Sequence, residues 1–357
     1  MTILSQQIDA IVAEAIERRV FPGAVVLVAA GERIQHFQAY GTTMYDHAGS
    51  QPVRLDTIYD VASLTKMFTA TAALRLADSG AIDLRAPAAE YLPHLRARSV
   101  TIWHLLTHTS GLDIRLSALR HAGRAGLLEA VYQLEPAHLP GSTVAYTNVN
   151  SLLLGEIVAR QHGAALDQAL HDLVIGPLEL RDTQFNPSGG LLARVAPTER
   201  DDTWRGRLVH GSVHDESAHA LGGVAGHAGL FSTAQDIFQF CRAWARAASD
   251  EQAYAAPALL RWATARLAMS DQTPGLRLAC GLGWMIDRPN FMGAAPPGTV
   301  GHTGFTGPAM VIAQAASTTI VVLSNRVYPQ RGVSAHHPVT AAIVSAAVCA
   351  KTDTDTF

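Results

Sequence analysis

Residues 58–70 read IYDVASLTKMFTA, and within them Ser63 and Lys66 stand three positions apart at the opening of a helix predicted over 63–79. Side chains at i and i+3 are neighbours on one helix face, so the Ser63 hydroxyl and the Lys66 amine can meet. A serine hydroxyl is a poor nucleophile until a nearby base takes its proton. A lysine held among apolar groups or other cations gives up its own proton more readily and can share that task. The N–H groups at a helix start are unpaired and can stabilise an oxyanion. Composition singles out the same residue. Lysine and arginine total 27, yet only Lys66 and Lys351 are lysines, and Lys351 is expected in a polar tail. Arginine keeps its charge, whereas lysine can be made a base. Taken alone, the SxxK spacing is a weak signal.

Two further pieces lie downstream. Tyr146-Thr147-Asn148 occurs in LPGSTVAYTNVNSLLLGEIV, after a Pro140-Gly141 turn and before a helix expected from about Asn150. A tyrosine in a loop at a helix entrance can serve as general base beside a cationic lysine. The bland alternative is a packing tyrosine followed by a helix-capping Asn. Residues 301–307, GHTGFTG, precede a predicted strand. Their glycines would let a substrate approach the strand backbone closely, or simply form a turn.

Around these motifs the hydrophobic period changes along the chain. Residues 3–19 carry apolar side chains at helical spacing, 23–30 (GAVVLVAA) and 33–40 read as paired strands, and so do 309–315 and 318–324. Helices are expected at 101–107, 151–162, 164–174, 234–248 and 337–350. Strands at both ends and helices between predict an α+β fold in one domain over 1–357. Its sheet region is expected at about 1–60 and 280–350, and its helical region at about 61–279.

The 357 residues are 48% hydrophobic and 16% charged, with a formal net charge of −3. That suits a folded globular protein and gives no electrostatic reason to bind nucleic acid. No apolar run approaches the ~20 residues of a transmembrane helix. The chain as written shows no signal peptide, so a cytoplasmic protein is expected. Cys241, Cys280 and Cys349 are too scattered for a disulfide framework or a CxxC site and are expected to be buried. GxSxG, Walker A and GxGxxG motifs are absent, so no cofactor is expected. His104 and His108 could share a helix face as zinc ligands do, but Leu105 stands where a metalloprotease carries Glu. Packing or helix-end hydrogen bonding is the better account, and no metal is expected.

Together, SLTK, YTN and HTG make the chain resemble the serine β-lactamase and penicillin-binding-protein superfamily, particularly its class C-like branch. LLTHTSGL at 105–112 and GGVAGHAGLFSTA at 222–234 extend the likeness over about residues 8–347. The resemblance implies an antiparallel sheet flanked by the terminal helices, beside a mostly helical region, with the active site between. It implies that Ser63 is acylated, that Lys66 assists its deprotonation, and that Tyr146 is the general base in acylation and activates the deacylating water. Asn148 would bond the substrate's acyl amide or the lysine. His302, Thr303 and Gly304 would bind substrate beside Phe305, whose N–H would form an oxyanion hole with that of Ser63.

The implied function is hydrolysis of a small amide or ester, foremost as a D,D-peptidase. A carboxylesterase or acyltransferase is the alternative, and a catalytically silent binding module a remote one. His302 departs from the lysine that β-lactamases carry there. Its charge is expected to be only partial near neutral pH, which disfavours strong recognition of an anionic β-lactam. The segment His214-Asp215-Glu216, with His227, remains open between structural, cleft-lining and cation-binding roles. Oligomeric state is open as well.

Overall fold

A computed structural model describes residues 2–45, 48–249, 259–332 and 335–352. Its principal sheet has six antiparallel strands: β1 (Gly23–Ala30), β2 (Arg33–Gly41), β3 (Met285–Ile286), β4 (Val300–Thr303), β5 (Ala309–Ala313) and β6 (Thr318–Ser324). They lie in the order β2-β1-β6-β5-β4-β3, so the two ends of the chain meet at the β1–β6 pair, with Ala24 opposite Ser324 and Ala30 opposite Thr318.

Successive side chains in a strand point to opposite faces, which makes β1 serve two cores. Ala24, Val26 and Val28 pack with Ile8 and Val12 of α1 (Ile3–Glu17) and Ile343 and Val344 from near the other terminus. Val25 and Leu27 face the second core, which continues through Phe240 and Trp244 into the helical region. Both faces of β1 are therefore covered, which is why its sequence is apolar without alternation. The α+β architecture expected from the hydrophobic periods is the one observed.

Three helices carry the interior: α2 (Thr65–Asp78), α3 (Asn148–His162) and α4 (Ala234–Ser249). The carboxyl-terminal helix, α5 (His336–Thr352), packs beside α1. It includes the backbone of Lys351, which is thus not in a tail beyond the fold; its side chain lies outside the described residues. α3 begins two residues earlier than expected because Thr147, not Asn148, is the cap, its hydroxyl accepting from the Val149 N–H. The stretch expected as one helix over 164–174 divides into Leu166–Leu170 and a wider π turn, His171–Ile175.

The helix expected over 101–107 runs only from Ile102 to Leu106. His104 shares a capping box with Thr101, and His108 falls beyond the helix end at φ +56°, so the two histidines do not share a face. Cys241 and Cys280 are buried, whereas Cys349 is exposed on α5, against expectation. Among the described residues no helix is long and apolar enough to cross a membrane.

Candidate active site

The helix expected to open at Ser63 opens two residues later. Ala62–Leu64 form a 3₁₀ turn, and Ala62 adopts φ +46°, a left-handed conformation costly for a residue with a Cβ. Buried Asp60 holds that turn: its carboxylate accepts from the Ala62 N–H (2.8 Å) and from the His214 N–H (2.7 Å). Burial pushes the Asp60 carboxyl up from its ordinary value, and these donors oppose the shift.

One turn on, Lys66 is 2% exposed. Its Nζ donates to Ser63 Oγ at 2.8 Å and to the His227 carbonyl at 3.0 Å. That carbonyl is delivered by the glycine-rich segment 222–230. Gly226 lies so close to α3 that an added Cβ would strike the Ser151 carbonyl oxygen, and its own carbonyl accepts from Thr69. Only glycine fits this approach.

The unassigned segment proves to be part of the same construction. His227 is wholly buried, and its Nε2 lies 3.2 Å from Asp215 Oδ1 and 2.9 Å from Ser217 Oγ. Asp215 also caps the helix Glu216–Ala220 and accepts from Asn148 Nδ2 at 3.5 Å. Burial raises the Asp215 carboxyl, but His227, Ser217 and the Ala218 N–H outweigh it and hold the group below the usual range. Of the two partners offered for Asn148, the lysine is thus not the one it meets. Asp215 takes that place, while Lys66 is engaged by Ser63 and His227. His214 donates through Nε2 to Glu199 (2.8 Å), and its ring stacks on Phe305. Among the described residues no cluster suited to a metal ion occurs.

Tyr146 stands at the cleft edge, 45% exposed. The Lys66 amine lies 5.0 Å from the ring centre, and the rings of His108 and His302 are at 4.8 and 5.9 Å. Both imidazoles have fixed tautomers. The Leu112 N–H donates to Ser110 Oγ, which donates to Asn150 Oδ1, and the Asn150 amide donates to His108 Nδ1 at 3.1 Å. The His108 proton therefore sits on Nε2.

His302, expected in a glycine-rich turn, belongs to the short strand β4 and is wholly buried. Its Nδ1–H donates to the Thr303 carbonyl at 2.9 Å, which leaves Nε2 as a buried acceptor with no partner among the described residues. Burial first, and the Lys66 charge second, push both imidazoles down to about 3. The partial charge expected of His302 near neutrality is thus corrected: the ring is neutral there. We therefore expect His302 to keep its Nδ1–H tautomer from pH 5 to 8 and to impose no step on KM for an anionic substrate. Nitrogen-15 NMR of the imidazoles checks this, and an imidazolium signal from His302 emerging near pH 6.5 would contradict it.

The rest of HTGFTG is pinned against the Ser63 turn. A Cβ on Gly304 would come within 2.6 Å of the Val61 carbonyl oxygen, and Thr306 Oγ1 donates to the Asp60 carbonyl at 2.7 Å. Thr303 is half-buried on β4 opposite Ala309, and Phe305 is half exposed beyond it.

A cleft of about 520 Å³ joins Ser63, Tyr146, Asn148 and Phe305, with Arg115 and Arg331 also on its walls. Lys66 and His302 lie behind its surface. Sequence reasoning missed Asp60, Glu199, Arg115 and Arg331. Only Asp60, three residues before Ser63, carried a local signal.

The family model described as Beta-lactamase matches residues 8–344, and the chain belongs to that family. A protein named "Putative D-alanyl-D-alanine carboxypeptidase" from Escherichia coli (strain K12) is 31% identical, over 86% of this chain and 79% of its own length. Among solved structures, "EstCE1, a hydrolase with promiscuous acyltransferase activity" superposes with a TM-score of 0.76 at 22% identity, covering 97% of this chain and 98% of its own. A β-lactamase from Sulfitobacter sp. EE-36 gives 0.77 at 23% identity, again over 97% and 98%. The fold is accordingly β-lactamase/transpeptidase-like, and the chain is a hydrolase of the β-lactamase-related kind.

Proposed function

We propose that the protein cleaves a small amide or ester through an acyl-enzyme on Ser63, with a D,D-peptidase as the first reading. The observation that carries this is the 2.8 Å contact between Ser63 Oγ and the Nζ of a buried lysine. In the proposed cycle, Ser63 Oγ attacks the carbonyl carbon as its proton passes to the coupled Lys66–Tyr146 pair. The tetrahedral oxygen is received by the N–H groups of Ser63 and Phe305. The bond to the leaving group breaks, and that group takes the proton. Tyr146 then activates a water that attacks the ester carbon and releases Ser63.

Asn148, steadied by Asp215, holds the acyl amide. His227 fixes Lys66 through its carbonyl. Thr303 and Gly304 provide the strand edge against which substrate lies, and neutral His302 supplies a fixed acceptor behind Tyr146. The whole chain is read as one domain, because its sheet needs both ends and one core runs through both regions. The compartment belongs to the same reading: a cytoplasmic enzyme would meet small peptides and esters, and cell fractionation tests that placement.

The curated relative's name favours the peptidase. Neutral His302 favours the ester reading, since it offers no cation to a terminal carboxylate. A rate comparison of D-Ala-D-Ala peptides, D-amino-acid amides, p-nitrophenyl esters and a chromogenic cephalosporin separates the two. Turnover is expected with peptide or ester and only slow reaction with the cephalosporin. Fast cephalosporin hydrolysis with the others inert would replace the proposal by a β-lactamase.

A further inference from the structure

Several basic side chains lie on the cleft wall or close behind it, and nearly all are already committed. Lys66 is bonded to Ser63 and the His227 carbonyl. The Arg331 guanidinium is shared between Glu199 and Glu216, with contacts of 2.6 to 3.0 Å. Arg326 donates to the carbonyls of Phe305 and Gly332. His108 and His302 are neutral for the reasons given. Arg115 differs from all of these. It is exposed on the cleft wall, and no hydrogen bond or ion pair engages its guanidinium among the described residues.

Its position is nonetheless well held. Leu112 and Leu116 on either side are buried, and the Arg115 carbonyl accepts from the Ala118 N–H at 2.9 Å. Asp113, two residues earlier, accepts from the Thr147 hydroxyl at 3.2 Å, which ties this segment to the loop bearing Tyr146 and Asn148. The facing carboxylates do not neutralise it. Glu216 is taken by Arg331, and Asp215 by Ser217, His227 and the Ala218 N–H.

We propose that Arg115 reads a carboxylate on the acyl portion of the substrate, making the preferred substrates anionic acyl donors. This rests on the acyl-enzyme reading, because it places the carboxylate on the Asn148 side of the scissile bond. A guanidinium matches a carboxylate with two parallel N–H donors, and on an open wall the pairing adds to binding without entering the chemical step.

The test compares kcat/KM for mono-p-nitrophenyl glutarate with that for neutral p-nitrophenyl butyrate, in wild type and in Arg115→Ala, Arg115→Lys and Arg115→Glu. A second arm compares a D-Ala-D-Ala peptide with its carboxyl-terminal amide, where the charge lies on the leaving group. In the first arm the anionic-to-neutral ratio is expected to fall about tenfold in Arg115→Ala, the size of one charged hydrogen bond. It should recover largely in Arg115→Lys and fall further in Arg115→Glu. An unchanged ratio in the first arm, or a fall confined to the second, overturns the assignment. Ester turnover that persists in Ser63→Ala would instead overturn the acyl-enzyme reading on which it rests.

Discussion

Ser63→Ala is expected to abolish covalent labelling by a fluorophosphonate and to cut turnover by a factor on the order of 10⁴ or more, as loss of a nucleophile does in other serine enzymes. The expectation follows from position. Among the described residues Ser63 alone combines exposure to the cleft with a 2.8 Å contact to the buried lysine, on a turn held by Asp60 and Thr306. Removing one hydroxyl leaves that turn intact, since its fastenings run through Ala62 and the Asp60 carbonyl. An unchanged melting temperature should therefore accompany the lost activity. Undiminished labelling of the Ala variant would sink the assignment.

The second large effect is expected from Lys66→Arg, which keeps the charge and loses the chemistry. Guanidinium cannot be deprotonated in a protein, so the variant could not take up the Ser63 proton that the proposed cycle passes to the Lys66–Tyr146 pair. Its planar fork is also the wrong shape for two acceptors, Ser63 Oγ and the His227 carbonyl, that converge on a single nitrogen. Loss of general-base assistance points to a fall in kcat of roughly 10³-fold. Because the site is buried, Lys66→Met serves as a companion without the larger head group. Near-wild-type rates in either variant would remove lysine from the proton path, and thermal melts separate the expected loss of activity from misfolding.

What could be read beforehand follows the range over which each feature is encoded. The Ser63–Lys66 pair depends on three residues of spacing and was legible, as was Tyr146 at a helix entrance. The β1–β6 pair was legible as two apolar runs, though not their mutual register. β4 escaped notice because Gly301 and His302 lack strand propensity, and its conformation comes from pairing with β5. The neutrality of His302 was unreadable for a related reason. It requires burial beneath neighbouring elements and the nearby Lys66 charge, whereas the isolated side chain titrates near neutrality. The Glu199–His214–Arg331 cluster draws on three distant segments, so no local pattern announces it. Asp215 lay in view but without a role, because its partners Asn148 and His227 become neighbours only in the fold.

The junction of β1 with β6 also bears on how the protein comes into being. On the ribosome, β1 and β2 emerge long before β6, the strand that covers the open side of β1. Until then the hairpin presents an apolar edge, GAVVLVAA, with its backbone donors and acceptors unpaired, the kind of surface that invites pairing with another nascent chain. The order of synthesis thus leaves a strand that is buried in the finished sheet with an open edge during birth. A truncated product ending before Thr318 would retain Ser63, Lys66 and Tyr146 yet lack the strand that closes the sheet around them.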